Sequence, residues 1–333
     1  MIRTLSTRSS TRAVAIALGV AWGVLFPIAA QAQTYPERAI RFIVPYPPGS
    51  GTDIVARIVG QKITENWGQQ IIVENRPGAG GVPGVDAVAK AAPDGYTIGI
   101  ADTGPLAIGP ALYAKMPFSP TRELAPVTLV ANLPFILVVH PSLEVASVAE
   151  LIRAAKTRPG QINYASVGNG SAVHLATELF KKLAGIDLVH VPYKGSAPAL
   201  QGVLSGEASL MFVNLLSSQQ LVRAGKLRAL GAAPLRRIGA MPELPTIAEA
   251  GVPGYEFQAW FGVVAPVATP RPIIQRLSDE IRRVIALADV RDKLINQGGF
   301  EPVGSTPEMF GALIATDIER WGKIVRESGA RVD

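Results

Sequence analysis

Short apolar runs alternate with helix-like segments along most of this chain, and this alternation constrains the fold more than any other feature of the sequence. Segments 52–66, 171–184, 270–287 and 306–327 have the apolar spacing of helices that pack on one face. The apolar runs have the length of buried β-strands, and they are RFIVPY, QIIVEN, YTIGIA, QINYAS, LVHVPY, SLMFVN and LRALGAA. Strands that alternate with helices are typical of parallel sheets covered by helices on both faces. The sequence therefore predicts an α/β fold with parallel sheets.

Two longer apolar runs, APVTLVANLPFILVVHP and FQAWFGVVAPV, contain no helical segment between their halves. We interpret them as paired crossovers between two α/β domains. On this interpretation residues 131–256 form a second domain. It is inserted into a first domain that consists of residues 33–130 and 257–333.

The first 32 residues have the features of a secretory signal peptide: three arginines without an acid, the apolar run AVAIALGVAWGVLFPIAA, and the small-x-small site Ala30-Gln31-Ala32. We predict that residues 1–32 are removed and that the protein lies in the periplasm. A retained membrane anchor is the rival interpretation, because the run approaches the length that spans a bilayer. The break at Pro27 and the cleavage site favour removal.

Charge and cysteine content narrow the class of protein. The formal net charge is +6, and removal of the three arginines in the first 32 residues leaves +3. A bias of this size, without a clustered basic face, argues against a nucleic-acid binder. The chain has no cysteine, which excludes a disulfide framework and a lipid anchor on cysteine. We expect a monomer that is stabilised by its core alone.

Two glycine-rich segments follow predicted strands and precede predicted helices. They are YPPGSGTD at 46–53 and YASVGNGS at 164–171, one in each predicted domain. In such sheets, ligands bind beyond the carboxyl ends of strands, where helix N-termini present free amides and a partial positive charge. The two segments predict the two halves of an anion-binding cleft. A plain strand-to-helix turn is the alternative for either segment taken alone.

The chain resembles the Bug-type substrate-binding proteins of tripartite tricarboxylate transporters over essentially all of its length after residue 32. The matching stretches are YPERAIRFIVPYPPGSGTDIVAR, IIVENRPGAGGVPG, DGYTIGIADTGPLAIGPALY, NYASVGNGSAVHLATELF, VPYKGSAPALQGVLSGEASLMFVN and LPTIAEAGVPGYEFQAWFGVVAP. The resemblance implies a type II periplasmic-binding-protein fold, in which two α/β domains have a ligand cleft between them. It also implies capture of a small organic carboxylate without catalysis, with membrane transporter subunits as partners.

The resemblance also indicates which residues hold the ligand. In the family, backbone amides and ordered waters hold a ligand carboxylate at the first strand-helix loop, which matches Pro48 to Asp53, and at a second-domain loop, which matches Ser166 to Ser171. The predicted ligand-binding residues are Tyr46, Pro48, Gly49, Ser50, Gly51, Thr52, Asp53, Thr103, Ser166, Gly168, Asn169, Gly170, Ser171, Tyr193 and Val213. Asp53 fits a helix-start cap better than a ligand contact. Ordinary packing is the alternative for Tyr46 and Tyr193.

Two positions depart from the family pattern. Ser50 stands where members usually carry a second glycine, so its hydroxyl is a candidate contact for ligand or water and narrows the cleft. Val213 stands where many members carry an acid that would face an ammonium group. Its apolar side chain weakens the case for an amino-acid ligand, unless Val213 is simply the buried end of a strand.

Enzymatic motifs are incomplete in this sequence. GAGGVPG at 78–84 has a proline at the third glycine position of a dinucleotide fingerprint, and the required acid does not follow. His140, His174 and His190 lie on separate predicted elements without ligand or triad spacing. We therefore expect neither a metal nor another cofactor, and we predict a periplasmic carboxylate-binding protein. A secreted carboxylate-acting enzyme and a carboxylate-sensing receptor without a transporter are the alternatives.

Overall fold

The structure is a computed structural model that describes residues 35–331, apart from the side chain of Ala79. The predicted signal peptide, residues 1–32, lies outside the described residues. From Arg38 onward the described residues form one compact unit. Within the described part of the chain, every helix falls short of the length or the apolar content needed to cross a bilayer.

The strands divide between two sheets. In chain order they are β1 (Ile40–Val44), β2 (Ile71–Asn75), β3 (Thr97–Asp102), β4 (Leu124–Leu133), β5 (Phe135–Val139), β6 (Asn163–Ser166), β7 (Val189–Pro192), β8 (Leu210–Asn214), β9 (Arg228–Ala232), β10 (Ala259–Pro266) and β11 (Glu301–Pro302). The first sheet has the order β11-β4-β10-β3-β1-β2, and the second has the order β7-β6-β8-β5-β9. All seven short apolar runs that were predicted to be strands contribute strands to these sheets.

The prediction of parallel sheets is wrong, because both sheets are mixed. β1 pairs in parallel with β2 and β3, but β10 runs antiparallel to both β3 and β4. In the second sheet, β6 pairs in parallel with β7 and β8, whereas β5 runs antiparallel to β8 and β9. The physical reason is that β5 and β10 enter their sheets from the other domain: β5 follows β4 of the first sheet through Pro134 alone, and β10 follows β9 of the second sheet. Neither strand reaches its sheet through the helical crossover that places a parallel neighbour.

Helices cover the two sheets. They are α1 (Gly51–Trp67), α2 (Val82–Ala89), α3 (Gly109–Leu112), α4 (Val148–Thr157), α5 (Ala172–Ala184), α6 (Ser196–Leu204), α7 (Leu215–Arg223), α8 (Arg271–Ala286), α9 (Ala288–Gly298) and α10 (Pro307–Ser328), with a 3₁₀ turn at Ala79–Gly81 and a π-helical turn at Gly104–Ile108. The long C-terminal helix α10 packs on β4 of the first sheet and on α5, which belongs to the second. Its buried Trp321 contacts Phe257 edge-to-face, with ring centroids 5.7 Å apart.

The chain enters the second sheet once and leaves it once. Strands of the first sheet come from residues 40–133 and 259–302, and strands of the second come from residues 135–232. Two sheets with their own helices confirm the predicted pair of α/β domains. We call them the first-sheet domain and the second-sheet domain, and their limits at residues 131 and 256 stay a prediction.

Candidate ligand-binding site

A cavity of about 510 Å³ lies between residues of the two domains. Tyr46 lines it just beyond β1 and Asp102 at the end of β3, whereas Val167 just beyond β6 and Asn214 at the end of β8 face it from the second-sheet domain. This is the edge at which α/β sheets bind ligands. The volume falls within the range that is typical of small-molecule sites.

The loop between β6 and α5 forms one end of the cavity. Its Gly168 and Gly170 line the cavity with φ angles of 128° and 73°, which side-chain-bearing residues rarely adopt. The N–H of Gly168 donates to Ser166 Oγ at 3.1 Å, and the N–H of Gly170 donates to His174 Nδ1 at 3.0 Å. These two amides are therefore used inside the loop, and the glycines serve the site through their conformation.

The first turn of α5 supplies the free donors at this end. Ser171 caps the helix, because its Oγ accepts the N–H of His174 at 3.2 Å. Among the hydrogen bonds of the described residues, the N–H groups of Asn169, Ala172 and Val173 have no protein acceptor, and all three residues line the cavity. Unpaired amides at a helix N-terminus bind anions. This end, the amide end, has the chemistry of a carboxylate site without a cationic side chain.

Three stacked rings, of which Tyr164 and His174 are buried, pack beneath the loop of the amide end through His174. The rings of His174 and His190 lie parallel with centroids 4.1 Å apart, and Tyr164 stacks on His190 at 4.9 Å. Ser166 Oγ lies 2.6 Å from His190 Nε2. Burial, followed by the neighbouring His190, lowers the pKa of His174 to about 4. The ring is thus neutral at pH 7, as the accepting role of its Nδ1 requires. His174 is therefore a structural residue of the loop.

A second polar region of the cavity lining, the acid end, belongs to the first-sheet domain and is built around Asp102. Asp102 Oδ1 accepts the N–H of Gly104 at 2.9 Å and the hydroxyl of Tyr46 at 3.2 Å. Burial raises the pKa of Asp102 to about 6, and it also raises the pKa of the Tyr46 phenol, with Asp102 as the next cause. Thr103 lines the cavity beside them, and its Oγ1 accepts the N–H of Trp260 at 3.0 Å. A carboxyl group therefore occupies this end, held by one phenol and one amide.

Apart from Tyr46, the residues of the first glycine-rich segment lie outside the cavity lining. Ser50 caps α1, because its Oγ accepts the N–H of Asp53 at 3.3 Å. Asp53 is not the N-cap residue itself. It lies in the first turn of α1, where its buried carboxylate accepts the N–H of Gly49 at 2.9 Å and bonds to Arg57 and Asn75. These bonds shape the turn. Asp53 therefore stabilises the turn that precedes α1.

Other predicted ligand residues are also absent from the cavity lining. In the first loop they are Pro48, Gly49, Ser50, Gly51, Thr52 and Asp53, and in the second-sheet domain they are Ser166 and Tyr193. Phe261 lines the cavity and packs on Gly51, where an added Cβ would lie 3.1 Å from the ring. Ligand contact by these residues stays a prediction.

Val213 is both a residue of the cavity lining and the buried end of a strand, the two roles that the sequence analysis considered. It lines the cavity at the end of β8, and it is only 4% exposed within the apolar core of the second-sheet domain. Tyr193, in contrast, packs against Gly202 of α6 away from the cavity.

Within residues 35–331, no group of three His, Cys, Asp or Glu side chains is placed to hold a metal ion.

Sequence reasoning missed several polar residues that line the cavity. These are Asp102, Tyr113, Ser196 and Asn214, together with the backbone of Gly80 in the segment GAGGVPG. A signal was present for two of them. Asp102 and Asn214 are the last residues of β3 and β8, and polar residues at the ends of strands mark the binding edge of such sheets.

Comparison with known proteins places the chain in a family. The model of the family described as "Tripartite tricarboxylate transporter family receptor" matches residues 55–330. The chain belongs to this family. Protein BugT of Bordetella pertussis is 39% identical over 311 residues, covering 93% of this chain and 94% of BugT. A UPF0065 protein from the tcbD-tcbE intergenic region of Pseudomonas sp. strain P51 is 42% identical over 294 residues, which cover 88% of this chain and 87% of that protein. The Bug-type resemblance is thereby confirmed.

Solved structures of similar proteins share the fold. An R. palustris protein solved with adipate has a TM-score of 0.79 and 37% identity, covering 90% of this chain and 100% of its own. MatC from Rhodopseudomonas palustris, solved with bound malate, has a TM-score of 0.74 and 31% identity, covering 87% of this chain and 100% of its own. These similar structures confirm the predicted periplasmic-binding-protein fold with two α/β domains.

Proposed function

We propose that this protein is a periplasmic receptor that binds a small organic carboxylate between its two domains and delivers it to a tripartite tricarboxylate-type transporter. The observation that carries the proposal is the amide end of the cavity, where three N–H groups lack a protein acceptor at a helix start. Family membership supports it, because two similar proteins were solved with adipate and with malate. Binding without turnover is the behaviour expected of a receptor.

The proposal includes export. The site Ala30-Gln31-Ala32 puts the first residue of the mature protein at Gln33. N-terminal sequencing of protein from a periplasmic extract tests this step. Protein that retains the apolar run, or that is recovered only with membranes, would contradict it.

Ligand binding is tested with matched acids and amides. Thermal shift and isothermal titration calorimetry are performed with adipate, malate and other small carboxylates, followed by the neutral amide of each acid that binds. A ligand that binds only the folded protein raises the melting temperature. We expect each amide to bind at least about tenfold more weakly than its acid, because charge-assisted hydrogen bonds to the carboxylate are lost. Equal binding of acid and amide, or steady turnover of a carboxylate ester, would contradict the proposal.

A further inference from the structure

The two ends of the cavity differ in charge. Among the described residues that line it, Asp102 is the one side chain with a carboxyl group, and there is no lysine, arginine or histidine. The groups closest to this carboxyl are the phenol of Tyr46 and the N–H of Gly104, and the phenol of Tyr113 lines the same region. The acid end therefore has no cation that could neutralise a second ligand carboxylate.

The carboxylate of Asp102 is held so that one oxygen stays open. Both hydrogen bonds that it makes with the described residues end on Oδ1. Asp102 is partly exposed, and it lines the cavity. Oδ2 is therefore an acceptor for a ligand group. Tyr46 is itself fixed, since Asn75 Nδ2 donates to its backbone carbonyl at 2.9 Å.

The geometry points to Asp102 as the residue that selects the ligand's second functional group, a hydrogen-bond donor such as a hydroxyl, an amide N–H or an ammonium group. The preferred class is a monocarboxylate that carries this donor at its far end. A dicarboxylate would place its second negative charge against Asp102. This inference rests on the proposed function, because the ligand's carboxylate is assigned to the amide end. Many family members carry an acid at the position of Val213. In this chain, Asp102 would provide the acid from a different position in the cavity.

The expected preference follows from charge and hydrogen bonding. An ionised Asp102 that accepts a hydrogen bond from a ligand donor forms a charge-assisted bond. A ligand carboxylate at the same place is repelled in a cavity of low polarity, and like-charge contacts of this kind reject the wrong partner. Because burial raises the pKa of Asp102 to about 6, the contrast is greatest above this pH.

The test uses ligands that differ only at one end. Isothermal titration calorimetry at about pH 8, where Asp102 is ionised, compares adipate, 6-hydroxyhexanoate, 6-aminohexanoate and hexanoate. The four- and five-carbon sets are measured in the same way. In at least one set, the hydroxy or amino acid should bind at least about tenfold more tightly than the dicarboxylate, on the scale of one charge-assisted hydrogen bond.

Substitution of the acid sharpens the test. Asp102→Asn keeps the shape of the side chain and removes its charge, so the preference for the amino acid over the dicarboxylate should fall at least about tenfold. Asp86→Asn is the matched control, since Asp86 lies on α2 outside the cavity lining, and it should leave the preference unchanged. Tyr46→Phe removes the phenol bond to Oδ1 and should weaken the preference less than Asp102→Asn does.

The outcomes separate this inference from the proposed function. If dicarboxylates bind most tightly to the unmodified protein, or if Asp102→Asn leaves the ranking unchanged, the role of Asp102 is wrong and the carboxylate receptor stands. If none of the carboxylates binds, the proposed function fails together with the inference. If Asp102→Asn does not fold, the ranking shown by the unmodified protein and by Tyr46→Phe decides.

Discussion

The amide end and the acid end of the cavity present opposite kinds of chemical group. At the amide end, Ala172 and Val173 offer unpaired N–H donors and no charged side chain. At the acid end, Asp102 offers an acceptor oxygen and a negative charge. From this difference we infer that the cleft orients a small ligand with one carboxylate of the protein and one set of backbone donors.

The two ends also differ in how they are held. The loop at the amide end takes its shape from buried neutral groups, Ser166 and His174, which accept the N–H groups of its glycines. The acid end takes its shape from a phenol and an amide that both bond directly to Asp102. Substitutions at the amide end should therefore weaken ligand binding by changing the conformation of the loop. Substitutions of Asp102 should weaken it by removing the charge at the acid end.

The largest effect is expected from Gly170→Ala. The φ angle of Gly170 is +73°, and an added Cβ would lie 2.5 Å from Leu112 Cδ1 of the first-sheet domain. Strain of the backbone and overpacking each cost about 1 to 3 kcal/mol, so we expect carboxylate affinity to fall about 100-fold. Calorimetry measures the loss. Gly254→Ala is the control, because Gly254 has a φ of +82° with no atom within 4 Å of its added Cβ. Equal losses in both variants would contradict a specific role for Gly170.

Val213→Asp should reduce the difference in charge between the two ends of the cavity. It adds a second carboxylate to the lining from the second-sheet domain. We expect at least about tenfold weaker binding of dicarboxylates, and a smaller loss for ligands with an ammonium group, because the added charge repels anions. Val213→Asn provides the neutral comparison in the same calorimetric series. An unchanged ranking of ligands in Val213→Asp would mean that this residue serves only the core.

His174→Phe tests the support of the amide end. The variant keeps an aromatic ring in the stack but removes the acceptor for the N–H of Gly170. An unpaired buried donor costs about 1 to 3 kcal/mol, so we expect about tenfold weaker carboxylate binding together with lower stability. His140→Phe is the control outside the cavity lining. Binding that survives unchanged would show that the His174 bond does not shape the site.

The same residue predicts a dependence of stability on pH. The pKa of His174 is lowered to about 4 in the fold, whereas the ordinary value is 6.5. Between these two values the unfolded chain binds more protons, so the contribution of His174 to the free energy of unfolding is lost as pH falls. Asp102 acts in the opposite sense, since its pKa is raised. Urea unfolding of the unmodified protein and of His174→Phe isolates the histidine, and their difference in stability should narrow from about pH 7 to about pH 4. A constant difference would contradict this.

The smallest effects are expected from two helix caps. Ser50 and Ser171 cap α1 and α5 through bonds of 3.3 and 3.2 Å to backbone N–H groups. Each substitution by alanine should reduce the free energy of unfolding by about 1 kcal/mol. Only Ser171 lines the cavity, so Ser171→Ala should also weaken ligand binding, whereas Ser50→Ala should not. Weaker binding in Ser50→Ala would instead support the predicted ligand role of the first loop.

Local patterns in the sequence predicted the strands and the loop at the amide end. The glycines at 168 and 170 follow β6 and precede α5, so their place at the cavity could be inferred from order alone. Strand direction could not be inferred, because an apolar run such as that of β10 has the same composition in parallel and antiparallel pairs. The direction depends on how a strand enters its sheet, and β10 enters the first sheet from β9 of the second.

The acid end depends on contacts between distant residues. Tyr46 and Asp102 belong to different strand ends and meet only because β1 and β3 pair side by side. The stack of His174 on His190 likewise joins α5 to β7. Thr103 was predicted at the site from the family resemblance, while its neighbour Asp102 was missed. The place of Asp102 at the end of β3 was a signal for the binding edge, but it does not by itself distinguish an acid that faces a cavity from one that faces solvent.

The orientation of a bound ligand is the central expectation, and a crystal structure of a complex measures it directly. The ligand is the tightest-binding hydroxy or amino monocarboxylate of the four- to six-carbon sets. We expect its carboxylate oxygens about 3 Å from the N–H groups of Ala172 and Val173, and its donor about 3 Å from Asp102 Oδ2. A ligand carboxylate placed against Asp102, or one held away from the start of α5, would contradict the division of the cavity into an amide end and an acid end.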